Sequence, residues 1–382
     1  MRHRPAQVHR SHLLSAEVRS SVLTVGDTGP AVRYLLANGL ITADAVLDGG
    51  VRATSLPRRN RNIVVRIGDS DGYVLKKSEP AVLGGTGATL RREAEFYRQL
   101  ANHPPLKLSA LVPGFLAYDP ERATLVLKLL PHHETLAAHS GNVTAENFPI
   151  SAWRAVGAAL AAIHQPTVTA ALEASSNLMM PSIFYVHRPT VDILQTIGPA
   201  GMTVLRIVQQ SEPIREALDH APTAWRTNAF IHGDIRAENL MYQAPSDIRV
   251  IDWELCGLGD PAWDVASTVA DLVLFWLRER ARAGDGDGSA NVPGNWVVFQ
   301  AAIRAMWMGY ESSAPGEELN PESVSRLSAI RMVQSAFEGS STGVSPAPTA
   351  VLLLQIAENV LTNPAAAARQ LFALPPSRRL DR

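Results

Sequence analysis

A chain of 382 residues, 46% apolar and 19% charged, is long enough for more than one compact unit and has the composition of a folded protein. Its formal net charge of −1 gives no global attraction to nucleic acid or anionic membrane, and neither is expected as a partner. The one cysteine, Cys256, excludes an internal disulfide framework and a cysteine-based zinc cluster, and is expected as a small buried thiol. The basic N-terminus MRHRPAQVHR is followed by no apolar segment of signal-peptide length, and no later apolar run reaches a membrane span, so a cytoplasmic location is expected.

Residues 1 to about 11 are polar and basic and are expected to be disordered. Ser15 to Ile41 reads as two short amphipathic helices separated at Gly26-Asp27-Thr28-Gly29-Pro30, with Val32, Leu35, Leu36 and Leu40 as the buried stripe of the second. Its role is open between a cap on the following sheet and an acceptor-recognition element. From Ala45 the pattern turns to strands. Val46 to Val51 ends in the pair Gly49-Gly50, Asn62 to Ile67 is a second run, Gly68 to Gly72 a turn, and Tyr73 to Lys76 a third. The connection Leu56-Pro57-Arg58-Arg59-Asn60-Arg61 is basic, and phosphate binding, acceptor binding and a solvated turn are all open for it. On the third strand Lys76 shares a face with Val74, while Lys77 points to the other.

Gly84-Gly85-Thr86-Gly87 reads as a hinge before a helix over Thr89 to Ala101, whose sheet-facing side is Leu90, Ala94, Tyr97 and Ala101. Glu93 and Glu95 lie on that helix, Glu95 as a surface residue. Val112 to Tyr118 and Thr124 to Leu130 read as two further strands. His132-His133-Glu134 has no third ligand at metal-binding spacing and reads as surface or hinge. Beyond it the chain is mostly helical. Trp153 to His164 carries Val156, Ala159, Leu160 and Ile163 on one face, with His164 structural. Residues 165 to 225 carry little readable pattern, and Phe184 to Pro189 is expected as a packed aromatic loop.

Phe230 to Glu254 is the informative stretch. It holds His232-Gly233-Asp234, then Asn239, then Val250-Ile251-Asp252. Phosphoryl transfer from ATP needs one carboxylate to orient the acceptor hydroxyl and take its proton, with an amide oxygen and a second carboxylate on Mg²⁺. The Asp–Asn separation is the one protein kinases use, with a later metal-binding Asp. Leu240-Met241-Tyr242 and Ile248 to Ile251 read as a hairpin about a turn at Ala244 to Asp247, which would bring Asn239 and Asp252 side by side at its open end. After it come a helix over Asp264 to Arg282, a glycine-rich loop at 284–295 that lacks a calcium-loop ligand pattern, and helices at Trp296 to Tyr310, 321–338 and 349–372.

This stretch, with the following Gly259-Asp260-Pro261-Ala262-Trp263-Asp264, resembles the catalytic and metal-binding loops of the aminoglycoside phosphotransferase and choline kinase-like family, relatives of protein kinases. The resemblance implies an α+β, bilobal, protein-kinase-like fold: a helical extension at 1–44, a small N-lobe of antiparallel sheet plus helix at 45–130, and a larger, mostly helical C-lobe at 131–382. It implies ATP and Mg²⁺. Gly49 and Gly50 would belong to the phosphate loop, although no well-spaced third glycine follows. Lys76, paired with Glu93, would hold the phosphates, and the backbone of Lys128, Leu129 and Leu130 would read adenine. Asp234 would act as the base, His232 as the anchor of its loop, and Asp264 as a brace. Arg236 would neutralise the transferring phosphoryl group, or else face solvent. Asn239 and Asp252 would hold the metal.

The acceptor stays open between a small molecule (antibiotic or metabolite) and Ser/Thr of a ribosomal precursor peptide. The N-terminal extension and Arg236 resemble kinase components of class V lanthipeptide or thioamitide maturation, which implies a lyase or cyclase partner protein. A polycationic aminoglycoside would call for a richly acidic pocket, and the C-terminal part has few acidic clusters. A non-catalytic nucleotide-binding scaffold is the alternative, against which Lys76, Asp234, Asn239 and Asp252 all argue.

Overall fold

The computed structural model describes residues 28–56, 61–77, 86–103, 106–141, 148–172, 179–284, 296–313, 319–341 and 343–376. They fall into two compact units, the first running to Ala101 and including Pro113–His133, the second made of Asn102–Val112 and the chain from Glu134 onward. The basic connection at 57–60, Gly84-Gly85, most of the glycine-rich loop and everything before Thr28 lie outside the described residues.

In the first unit, α1 (Thr28–Ala37) and α2 (Ala43–Leu47) precede β1 (Val51–Leu56), β2 (Arg61–Ile67) and β3 (Asp71–Lys77). Then follow α3 (Thr86–Ala101), β4 (Phe115–Asp119) and β5 (Thr124–Lys128). The strands form one antiparallel sheet in the order β1-β2-β3-β5-β4. Alternation along the strands gives it two faces. Ile63, Val65, Tyr73, Leu75 and Val126 bury one face against Ala31, Val32, Leu35 and Ile41, and the Tyr73 hydroxyl donates to Leu40 O at 2.8 Å. Helix α1 is thus a cap on the sheet. Its first turn contains Pro30, whose missing N–H costs nothing there, so the segment expected to interrupt the helix begins it.

The strand expected at Val46 to Val51 is instead α2 and a turn. Thr42 caps the helix by accepting the Ala45 N–H, and Gly49 stops it at φ +72°, a left-handed conformation that suits glycine. Gly50 O then accepts the Gly68 N–H at 2.8 Å, which pins the pair beside the β2–β3 turn. That is the opposite end of β1 from the β1–β2 connection, about 20 Å away at strand rise. On the other face of the sheet α3 buries Leu90, Ala94 and Tyr97, with Tyr97 stacked on Phe115 at 6.0 Å. Ala101, expected on that side, is exposed at the helix end.

The second unit opens with a 3₁₀ turn at Lys107–Leu111, then β6 (Glu134–Thr135), α4 (Leu136–Gly141), α5 (Ile150–Ile163) and α6 (Pro166–Leu172). The stretch that carried little pattern in sequence holds a 3₁₀ turn at Ser182–Tyr185, α7 (Val191–Thr196), α8 (Pro199–Gln210) and α9 (Glu212–Ala224). Phe184 packs edge-on against Trp225 and Trp263 and is fully buried, as expected of a packed aromatic loop. Next come β7 (Ala229–Ile231), β8 (Leu240–Gln243), β9 (Asp247–Val250) and β10 (Gly257–Gly259).

The remainder is helical: α10 (Pro261–Gly284), α11 (Trp296–Ser313), α12 (Pro321–Gly339), α13 (Pro348–Thr362) and the short α14 (Pro364–Ala366) with a π-turn at Ala367–Leu371. The single helix expected over 349–372 breaks at Asn363-Pro364, where proline lacks the N–H to continue the ladder and Asn363 caps the next turn. Helices α5 and α11 lie nearly backbone to backbone: a Cβ at Gly157 would run into Met306 O, and one at Gly309 into Arg154 O. Helix α10 buries Ala262, Trp263, Val265, Ala266, Val269, Ala270, Leu272 and Val273, and so is enclosed on most sides.

Candidate active site

The loop His232–Asn239 leaves β7, which pairs with β10, and enters the β8–β9 hairpin. Gly233 has φ +83°, and a Cβ there would lie 2.6 Å from Leu255 O, so only glycine fits. Asp264, fully buried at the start of α10, accepts the N–H of His232 at 2.8 Å and of Gly233 at 3.0 Å. It also meets His164 Nε2 at 3.1 Å, whose Nδ1 faces the Tyr310 hydroxyl at 3.0 Å. Burial pushes the Asp264 carboxyl up, but the His164 hydrogen bond and charge and the loop N–H outweigh it and hold the group below its ordinary range. Trp263 closes the same turn, its indole N–H donating to Gly233 O at 3.0 Å.

His232 is buried, and that burial depresses its pKa, so it is neutral. Its Nδ1 accepts the Asp234 N–H at 3.2 Å, which leaves Nε2–H to donate to Ile251 O at 3.0 Å. One imidazole therefore ties the loop to the strand carrying the second carboxylate. The hairpin pairs Leu240 with Val250, and Ile251 N–H donates to Asn239 O at 3.0 Å, so Asn239 lies opposite Ile251 and Asp252 is the next residue at the open end.

The Asn239 amide N donates to Asp234 O at 3.0 Å, which turns its carbonyl oxygen away from that contact. Asp252 sits at φ 72° and ψ 57°, a left-handed conformation costly for a non-glycine residue and concentrated at functional positions. An amide oxygen beside a carboxylate is the hard-oxygen donor set that Mg²⁺ takes, with substrate phosphates and water completing its shell. The residues present fit that ion.

Asp234 is held by Arg236, which the sequence singled out, and by Arg331, which it did not reveal. Arg236 Nη2 donates to its Oδ1 at 2.8 Å, and Arg331 Nη2, from α12, approaches the same oxygen at 3.4 Å. Burial raises the Asp234 carboxyl, but the charges of Arg236 and Arg331, with the Arg236 hydrogen bond, outweigh that and leave it depressed, hence ionised. Asp271 on α10 is a second missed residue: its Oδ2 accepts the Ala237 N–H at 2.6 Å. Burial, with Glu238 nearby, pushes it up to about 7. Beside Arg236 lies a cavity of about 190 Å³, lined among others by Glu238, Asp271, Arg278, Arg331, Ser335 and Glu338.

In the first unit Lys76 is 4% exposed, and its Nζ meets both oxygens of Glu93, at 2.7 and 2.9 Å; Glu93 is fully buried. Glu95 pairs with Arg98 at the surface. Asn62, the cross-strand neighbour of Lys76, is 9% exposed, and its carbonyl oxygen has no hydrogen-bond partner among the described residues, so a polar ligand on this face would find an acceptor. Two expectations change here. Gly49 and Gly50, at the β2–β3 end, are not the turn that would cover phosphates. The N–H groups of Lys128 and Leu129 are already bonded, to Gly114 O at 2.7 Å and Gly72 O at 3.0 Å, so these two donors are not available to adenine. The Lys128 ammonium is turned to Asp71 at 2.7 Å and over the Tyr73 ring.

Residues 52–297 match the model of the phosphotransferase enzyme family (APH), and the chain belongs to that family. Among solved structures it is similar to a choline kinase from Cryptosporidium parvum: 12% identity, 94% of this chain and 97% of that one, TM-score 0.52. It is also similar to an ethanolamine kinase from Plasmodium vivax, with 12% identity, 93% and 95% coverage and TM-score 0.51. A thermostable mutant of the aminoglycoside phosphotransferase APH(4)-Ia gives 16% identity, 82% and 94% coverage and TM-score 0.51. The fold is the protein-kinase-like one of these phosphotransferases. In sequence the chain is 22% identical over 246 residues to a probable acyl-CoA dehydrogenase of Arabidopsis thaliana. That match takes in 61% of this chain but spans only 29% of the relative's length.

Proposed function

We propose that the protein transfers the γ-phosphoryl group of ATP to a hydroxyl group of a small molecule. The observation that carries this reading is the single loop-and-hairpin unit in which an ionised Asp234 is tied to Asn239, with Asp252 at the open end of the same hairpin. Asp234 orients the acceptor hydroxyl and takes its proton. Lys76, fixed by Glu93, holds the nucleotide phosphates. Arg236, whose Nε lacks an acceptor among the described residues, has a donor left for the phosphoryl oxygens. Asn239 and Asp252 would hold Mg²⁺, which when bound neutralises phosphate charge. Choline kinase, ethanolamine kinase and aminoglycoside phosphotransferase, the similar structures, support a small-molecule acceptor.

The cavity beside Arg236 balances three guanidinium groups, Arg236, Arg278 and Arg331, against three carboxyls, Glu238, Asp271 and Glu338. Such a lining favours a neutral or zwitterionic acceptor over a polycation. A cation directly on Asp234, at 2.8 Å, also favours a second reading, Ser/Thr of a precursor peptide, because protein Ser/Thr kinases place a lysine in the corresponding slot. The test is Mg²⁺-dependent turnover of ATP with hydroxylated amines, aminoglycosides and Ser/Thr-rich peptides side by side. A gain of one phosphate on one class, abolished in Asp234→Asn, is the expected result. ATP binding without transfer to any class would favour a nucleotide-binding scaffold.

A further inference from the structure

Five side chains close a hydrogen-bonded ring on the Asp234 carboxylate, and three of them come from one face of α12. Arg331 Nη1 donates to Gln334 Oε1 at 2.8 Å, and Gln334 Nε2 donates to Glu338 Oε1 at 2.8 Å. Glu338 Oε2 accepts from Arg236 Nη2 at 3.4 Å, and Arg236 and Arg331 both reach Asp234 Oδ1, at 2.8 and 3.4 Å. Arg331 is 5% exposed and lies over the Trp263 ring at 5.2 Å. Its position is therefore determined on three sides: by the aromatic ring, by Gln334 and by the carboxylate.

A solvated ion pair would not be built this way. An arginine desolvated against a tryptophan and clamped by an amide keeps its planar fork in one orientation. Both guanidinium groups take the same oxygen of Asp234. The other, Oδ2, has only Asn239 Nδ2, at 3.4 Å, among the described residues.

We propose that Arg331 is a positioning residue of the phosphotransfer: it commits Oδ1 of Asp234 to the ring and so leaves Oδ2 to receive the acceptor proton. This rests on the reading of Asp234 as the base. In the step, the acceptor oxygen bonds to the γ-phosphorus and its proton passes to Oδ2. The bond from phosphorus to the β–γ bridging oxygen breaks, and ADP leaves with the electron pair. Gln334 and Glu338 act one bond further out, Gln334 by holding Arg331 and Glu338 by holding Arg236.

The test uses the full chain with ATP and Mg²⁺, water standing in for the acceptor, and reads phosphate release. Arg331→Met is expected to lower kcat by about 10-fold to 100-fold, the range that follows from a misplaced catalytic group, with KM for ATP changed by less than about twofold. Arg331→Lys should recover part of the loss, because an ammonium can still reach Oδ1. Gln334→Ala, which leaves core and charge intact, should give a smaller loss of kcat in the same direction. Independently of turnover, Asp234→Asn should lower the unfolding temperature less in the Arg331→Met background than in the wild type, since the two groups are coupled.

The proposal is overturned if Arg331→Met keeps kcat while Asp234→Asn abolishes it. It is also overturned if kcat, ATP affinity and unfolding temperature fall together without rescue by lysine, or if the two substitutions act additively on unfolding. If Asp234→Asn itself keeps wild-type phosphate release, the reading of Asp234 fails, and that failure is distinct.

Discussion

Asp264→Asn isolates the brace from the chemistry, because Asp264 contacts neither of the residues assigned to the metal. Three donors converge on its two oxygens: the N–H groups of His232 and Gly233, at 2.8 and 3.0 Å, and His164 Nε2 at 3.1 Å. Asparagine keeps the shape but offers one acceptor oxygen and an NH₂, so at least one donor faces another donor. Leaving such a buried group unmatched costs about 1–3 kcal/mol. The surviving bonds also lose the charge that made them about twice as strong as neutral ones. A loss near 3 kcal/mol follows, roughly a hundredfold shift in the unfolding equilibrium.

All seven tryptophans, Trp153 to Trp307, lie in the second unit, so urea denaturation followed by tryptophan fluorescence reads the unit that holds the brace. The depressed Asp264 pKa sets the pH window. Its stabilising contribution is complete above the unfolded carboxyl pKa, about 3.9, and is lost as pH falls through the lower folded value. The difference between wild type and variant should therefore be full at neutral pH and close only in strong acid. A stability loss below about 1 kcal/mol at pH 7, with unchanged phosphate release, would refute the bracing role.

Glu93→Gln leaves the buried Lys76 ammonium without its carboxylate and should cost about 3–5 kcal/mol by calorimetry, while Lys76→Met in the same chain should restore much of the loss. If Glu93→Gln is neutral, the pair is not desolvated as described. Gly233→Ala places a Cβ 2.6 Å from Leu255 O at φ +83°, and should lower stability by about 2 kcal/mol or more and turnover with it; wild-type behaviour in both would show that the loop can relax. Asp271, with a folded pKa of about 7 against an unfolded 3.9, keeps its proton only in the folded state between those values, so wild-type stability should fall as pH rises from about 4 to 7. Asp271→Asn should remove that slope and be the more stable form at pH 8 but not at pH 5; parallel pH profiles would contradict the assignment.

The loop and hairpin were legible because their chemistry and their local structure coincide in one stretch. His232 to Asp252 contains its own strand pattern, and the hairpin register brings Asn239 opposite Ile251, with Asp252 the next residue at the open end. Lys76 and Glu93 were legible through the family resemblance, with strand alternation separating Lys76 from Lys77 and the Arg-Glu-Ala context marking Glu93. Arg331 was not, because it lies 97 residues from Asp234 and appears in sequence as one more polar residue on an amphipathic helix. What marks it is burial, which no local pattern encodes.

The glycine pair was misplaced for a related reason: Ala45-Val46-Leu47 before two glycines suits a short helix with its stop as well as a strand with its turn, and only the Gly50–Gly68 hydrogen bond decides. Some of the rest was legible and passed over. Thr190 as the N-cap of α7, Pro199 in the first turn of α8 and Pro364 after α13 are local signals of where helices start and stop.

A loop of eight residues cannot hold its own shape against water, and here α10 supplies what the loop lacks. Asp264 and Asp271 are seven residues apart, two helical turns, and so share a face. The first takes the N–H groups of His232 and Gly233, the second that of Ala237, so one rigid helix face spaces both ends of the loop backbone. Helix α12 acts differently, because the bonds that Arg331 and Glu338 make to the loop go to side chains, those of Asp234 and Arg236. Position of the loop and orientation of its carboxylate are therefore under separate control. Asp264→Asn on the α10 face should reduce stability and turnover together, and substitutions on the α12 face should reduce kcat with stability largely kept. The two series, measured on one chain, separate a displaced loop from a misaligned base.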